Sequence, residues 1–169
     1  GFSKICLVME ALFGKVCLVD KSGRSFPAST LAANKVVGLY FSAHWCPPCR
    51  SFTPVLASSF STMVGAGKAI QIVFVSSDRD EAQFQEYFET MPWLALPFGE
   101  RDLKQTLSSK YGVNGIPKLV LLDGETCKVI TGDGRNVISR DNTGEHFPWE
   151  HFCQDSDEGA KKGGQQLLG

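Results

Sequence analysis

The chain has 169 residues, 43% hydrophobic and 21% charged, with 17 Lys and Arg against 18 Asp and Glu. That length suits one ordinary domain, and those proportions exclude a disordered chain or a coiled coil. Balanced charge leaves no global field for nucleic acid or an anionic membrane, and no apolar run approaches the roughly 18 residues that span a bilayer. In chain order, Val16–Val19 and Ser25-Phe26 flank Lys21-Ser22-Gly23, which predicts a hairpin. Val36–Phe41 is a short apolar run, rich in β-branched and aromatic residues, and predicts a buried strand. Phe52, Val55, Leu56, Ser59, Phe60 and Met63 then recur at helical spacing, with Gly65 as the stop. Ile70–Val75 predicts a second buried strand, parallel to the first because a helix joins them. Asp78 with Glu81 resembles a capping box ahead of Phe84, Tyr87, Phe88 and Met91, one face of a helix. Leu103, Leu107 and Tyr111 mark another helix, ended by Gly112. Leu119–Leu122, a turn at Asp123-Gly124 and Lys128–Ile130 close the list as a hairpin. The pattern predicts an α/β fold: a mixed sheet with helices on both faces and a hairpin ahead of it.

The ends read differently. Residues 1–19 mix apolar side chains with Lys4, Glu10 and Lys15 and lack the uninterrupted apolar core of a secretory signal. From Gln154 the chain is polar and Gly-rich, with too little apolar surface to offset the entropy of ordering it. The expected organisation is one domain over 1–153 and a flexible tail over 154–169.

Six cysteines are too few for a disulfide scaffold, which runs to roughly 8–10% Cys, and only Cys46 and Cys49 are close enough to form a motif. This usage points to a reducing compartment. Cys6, Cys17 and Cys127 are expected to be buried thiols acting as small hydrophobes, and Cys153 to be exposed near the tail.

Trp45-Cys46-Pro47-Pro48-Cys49 falls where the first buried strand gives way to a helix. A CxxC there reads as a redox pair. At a helix N-terminus the unpaired N–H groups and the macrodipole favour a thiolate, which is the form that attacks disulfides. Two intervening residues bring both sulfurs within bonding reach, so Cys49 resolves a mixed disulfide formed on Cys46. Pro47 and Pro48 sit where a missing N–H is tolerated, and they stiffen the loop. Two weaker readings stand beside this one. Zinc needs four ligands, and no second CxxC exists; His44, His146 and His151 are the only histidines. A purely structural disulfide would close too short a loop to stabilise much. Ile116-Pro117, directly ahead of the predicted strand at Leu119, is a weak signal alone, since only about 5–6% of X-Pro bonds are cis.

Together these residues resemble the thioredoxin superfamily, and within it the nucleoredoxin/tryparedoxin branch. The resemblance rests on Tyr40–Arg50 around the CxxC, Phe52-Thr53-Pro54, Met91–Phe98, Tyr111-Gly112-Val113, Gly115-Ile116-Pro117 and Phe147-Pro148-Trp149. It implies a thioredoxin fold, with Cys46 attacking, Cys49 resolving, and a cis Pro117 facing the sulfurs. It also implies that the Ile116 backbone pairs with a substrate strand and that Trp45 forms the docking surface beside Pro47 and Pro48. Core packing is the alternative for Trp45, and Trp93 and Phe147-Pro148-Trp149 read as structural. The chain departs from thioredoxins proper at Tyr40, where they carry a buried aspartate, and in Ile70–Val75, which lacks their lysine. The base for Cys49 is therefore unassigned, and His44 reads equally as a tuning charge and as a solvated side chain. The expected activity is reduction of protein disulfides, with peroxiredoxin-type clients, an external thiol or reductase as electron donor, and no cofactor or metal. The rival expectation is a redox-sensitive binding module that regulates signalling partners. A cytoplasmic or nuclear monomer, without nucleic acid or membrane partners, is the expected setting.

Overall fold

The Val36 run becomes the central strand of a seven-stranded sheet, β3 (Val36–Ser42), and it is buried at every position. Its parallel neighbour is β4 (Ile70–Ser76), in register from Val36↔Ile70 to Ser42↔Ser76. On its other side runs β6 (Lys118–Asp123), antiparallel from Val36↔Asp123 to Phe41↔Lys118. The computed structural model describes residues 2–152. The expected tail over 154–169 and Cys153 lie outside them.

A strand alternates its side chains between two faces, so a strand covered on both sides must be apolar throughout. Val36, Tyr40, Ile72, Phe74, Leu119 and Leu121 point to one face, and Val37, Leu39, Phe41, Val73, Val75, Val120 and Leu122 to the other. The first face is covered by α2 (Pro47–Gly65), α3 (Glu81–Phe88) and α5 (Gly134–Arg140), through Leu56, Phe60, Phe84, Phe88 and Ile138. The second is covered by α1 (Phe2–Phe13), a 3-10 turn at Ala28–Ala33, and α4 (Arg101–Lys110), through Met9, Phe13, Leu31 and Leu107. The hairpin of β1 (Cys17–Val19) and β2 (Ser25–Pro27) joins one edge through β5 (Leu94–Ala95). The other edge is β7 (Val129–Thr131), so the strand order is β2-β1-β5-β4-β3-β6-β7.

The structure departs from the sequence reading at several points. Residues 2–13 form a helix that the reading did not assign; Met9, Leu12 and Phe13 carry its buried face, and Gly14 ends it at φ +64. β5 and α5 are also new, and both are too short for periodicity to register. The capping expectation at Asp78 shifts two residues: Asp80 caps α3 by accepting from the Gln83 N–H at 2.8 Å. Gly65 is the last residue of α2 rather than its stop; Gly67, at φ +80, turns the chain. Cys17 is exposed, not buried: on its short strand Leu18 takes the buried position and Cys17 points to the opposite face. Cys127 is half-buried and its thiol donates to the Met9 thioether at 3.4 Å. Burial, more than its charged neighbours, raises the Cys127 thiol above the ordinary range.

Candidate active site

β3 ends at Ser42 and α2 begins at Pro47, so Ala43–Cys46 is the loop at the carboxyl end of the central strand. Cys46 is the N-cap residue of α2, with extended backbone (φ −94, ψ 110), and Pro47 and Pro48 occupy the first two helical positions. The backbone N–H of Cys49 donates to Cys46 Sγ at 3.4 Å, as a serine hydroxyl would accept at the same position. Cys46 and Cys49 are bridged, with their Cα atoms 5.2 Å apart. Cys49 is fully buried and Cys46 is 4% exposed, so of the two cysteines only Cys46 reaches solvent, beside the exposed Trp45, Pro47 and Pro48.

The Ile116–Pro117 peptide is cis, as the resemblance implied. It lies against the sulfurs because β3 and β6 are antiparallel: Phe41 pairs with Lys118, so the end of one strand meets the start of the other. Ile116 packs on Ala43, Cys46 and Cys49, and its carbonyl oxygen is 3.8 Å from Cys46 Sγ. A bridged sulfur has no proton to donate, whereas the reduced thiol does. Arg135 of α5 donates to the Pro117 carbonyl at 3.4 Å, with its guanidinium carbon 5.4 Å from the centre of the Phe52 ring.

Trp45 is 45% exposed, which removes the core-packing alternative for its ring. Its indole N–H donates to the Ser77 carbonyl at 2.9 Å and fixes the ring's direction. The Arg79 guanidinium carbon is 5.5 Å from that ring's centre. Asp78, buried, accepts from the His44 backbone N–H at 2.7 Å through one oxygen and from the Ser76 hydroxyl at 2.7 Å through the other. It therefore ties the Cys46 loop to the end of β4. The His44 ring stacks on Tyr87, with centroids 5.5 Å apart.

Where thioredoxins proper carry a buried aspartate, Tyr40 opens a chain of hydroxyls. Thr53 Oγ1 is 2.6 Å from Tyr40 Oη, 2.5 Å from Tyr87 Oη and 2.9 Å from the Cys49 carbonyl oxygen; Ser42 Oγ is 2.8 Å from Tyr87 Oη. Proton counting orders the network. The Cys49 carbonyl only accepts, so Thr53 spends its single proton there. Tyr40 and Tyr87 must then donate to Thr53, and Ser42 to Tyr87. Burial first, and Tyr87 second, raise the Tyr40 hydroxyl well above its ordinary range, so it keeps that proton. In this arrangement the hydroxyls hold the Cys49 carbonyl and leave no free acceptor on Thr53 for the Cys49 proton. Sequence reasoning reached Tyr40 as a departure but not Thr53, Tyr87 or Ser42 as its companions, nor Asp78 as the tie to the Cys46 loop. Among the described residues no group of three His, Cys, Asp or Glu side chains gathers as a metal would need.

A mixed sheet with a cysteine pair capping the helix after its central strand, and a cis-proline opposite, defines a thioredoxin fold. Comparison with known proteins agrees. Residues 34–129 match the thioredoxin-like family model, and the chain belongs to that family. Nucleoredoxin from Homo sapiens is 45% identical over 132 residues, covering 78% of this chain but only 30% of the relative. The chain thus spans less than a third of the nucleoredoxin it matches. Tryparedoxin from Trypanosoma brucei brucei is 41% identical over 136 residues, covering 80% of this chain and 92% of the relative. Among solved structures, tryparedoxin II from C. fasciculata superposes with a TM-score of 0.80 at 31% identity, covering 86% of this chain and 95% of that one.

Proposed function

We propose that the chain is a protein-disulfide reductase acting through Cys46 and Cys49. The observation that supports it most is the placement of Cys46: it caps α2, accepts the Cys49 N–H, and faces the Ile116 carbonyl across a cis-proline. The helix N-terminus and that N–H both favour negative charge on Cys46 Sγ. In the reduced protein the Cys46 thiolate attacks one sulfur of a client disulfide, and the other client sulfur leaves and takes a proton. The Cys49 thiol then loses its proton and attacks Cys46 Sγ, closing the Cys46–Cys49 bond and releasing the client as a dithiol. Two electrons and two protons pass to the client, and an external thiol or reductase restores the pair.

The other site residues divide the work. Trp45, Pro47 and Pro48 supply the apolar docking surface, the prolines also stiffening the turn. Ile116 offers its backbone to an extended client segment, and Pro117 excludes a competing N–H beside the sulfurs. Peroxiredoxin-type clients and a cytoplasmic or nuclear setting belong to this reading. A low-molecular-weight thiol suits the donor role; tryparedoxin II has been solved in complex with glutathionylspermidine. Among the described residues no helix is long and apolar enough to cross a membrane.

The test is reduction of insulin disulfides by dithiothreitol with and without the protein, alongside Cys46→Ser and Cys49→Ser. The wild type is expected to accelerate precipitation and Cys46→Ser to lose the acceleration, while Cys49→Ser accumulates mixed disulfides with its clients. Full activity in Cys46→Ser would overturn the mechanism. A partner released on oxidation without itself being oxidised would instead favour a redox-sensitive binding module.

A further inference from the structure

We infer that Arg79 is a specificity-determining residue that directs the site to client disulfides flanked by Asp or Glu. The inference rests on the disulfide-reductase reading. Arg79 sits between β4 and α3, in a loop pinned on both sides. Asp78 is held by the Ser76 hydroxyl and the His44 N–H, and its own N–H donates back to Ser76 Oγ at 2.9 Å; Asp80 is held as the cap of α3. The two carboxylates that flank Arg79 in sequence are therefore already engaged. Among the described residues the sole contact between a cationic side chain and a carboxylate within 4 Å is His146 with Asp141, so no carboxylate pairs with Arg79.

The guanidinium instead lies over the exposed indole of Trp45, whose direction the Ser77 carbonyl fixes. At 5.5 Å from the ring centre the guanidinium spends none of its N–H donors on a described carboxylate, and those donors can receive one through two bonds. They are thus placed at the rim of the surface on which a client would dock. Arg50, exposed in the first turn of α2, carries the same sign there. The chain as a whole has a net charge of -1, and Asp80 and Glu81 are exposed beside Arg79, so the preference rests on the guanidinium's own position over Trp45 and not on a broad positive field. An acidic residue beside the client cysteine would exchange water for a pre-positioned guanidinium; a lysine there would meet it as a like charge.

The test compares kcat/KM for two synthetic peptide disulfides, identical except for Glu or Lys on either side of the cysteines, with dithiothreitol as reductant. The wild type is expected to favour the Glu peptide about fivefold, the scale of one exposed charge pair, and the preference should shrink as salt rises. Arg79→Glu is expected to reverse the preference and Arg79→Lys to keep part of it. The ratio between the two peptides cancels any effect of the charge on Cys46 itself, which acts on both equally. A ratio near one in the wild type, or an unchanged ratio in Arg79→Glu, would overturn the inference while leaving the reductase reading intact. Turnover of neither peptide would overturn both.

Discussion

Thr53 carries more of the site than its place on a helix face suggests. Its hydroxyl donates to the Cys49 carbonyl and accepts from two buried tyrosines. Thr53→Val preserves the shape but strands the Tyr40 phenol, leaves Tyr87 only Ser42 as a partner, and leaves that carbonyl without this donor. The expected cost is about 1–3 kcal/mol, the range for leaving buried polar groups unpaired, read as a lower urea midpoint; Thr53→Ser should recover most of it. At this scale the cysteines and the Ile-Pro were legible because each is a contiguous motif with a chemical reason for its spacing. The hydroxyl chain was not, since its members lie 13 and 34 residues apart from Thr53 and no periodicity links them. Asp78 was singled out for the wrong partner: a carboxylate near a helix start reads as a cap, and its bond to the His44 N–H crosses 34 residues.

The elements divide along similar lines. β3, β4 and β6 were legible because a doubly covered strand must be apolar at nearly every position, and α4 because its apolar spacing ends in a glycine with positive φ, Gly112. The three-stranded centre depends on a close approach that no pattern announces. A Cβ on Gly124, at the turn after β6, would lie 1.8 Å from the Asn34 carbonyl oxygen, and the Gly124 N–H donates to Lys35 at 2.8 Å. Gly124→Ala must push two backbones apart, at about 3 kcal/mol, the upper end for overpacking. Gly65→Ala, in the helix and with open space at its Cβ, is expected to stabilise by about 0.5–1 kcal/mol. Urea titration of both variants, with m unchanged, would separate the two effects.

The molecule is closed by the chain that follows α5. Trp149 is fully buried against the first face of the sheet, at φ +68, and its indole N–H donates to Asp141 at 2.8 Å. The same carboxylate accepts the N–H groups of Glu145 and His146 at 2.8 and 2.9 Å. Burial raises the Asp141 carboxyl, but these bonds, with the nearby His146 charge, outweigh it and hold the group below its ordinary range. A depressed carboxyl contributes stability that is complete above its unfolded value, about 3.9, and is lost as pH falls through the folded one. Asp141→Asn replaces one acceptor oxygen with a donor, which is expected to cost about 1–3 kcal/mol at pH 7. Urea midpoints should show the gap between variant and wild type narrowing as pH drops below about 4.

The antiparallel pairing of Phe41 with Lys118 has a consequence for how such a protein varies. Cys46 and Ile116 stand 70 residues apart in the chain, yet one ladder of backbone bonds brings them together. What the intervening chain does at an exposed turn such as Gly99 leaves that ladder untouched. Insertions there add little closure entropy, and a nick would leave both halves gripping the same sheet. The bridged end is thus insulated from its own decoration: the outer turns are free to change while the cysteine pair and the cis-proline stay in place.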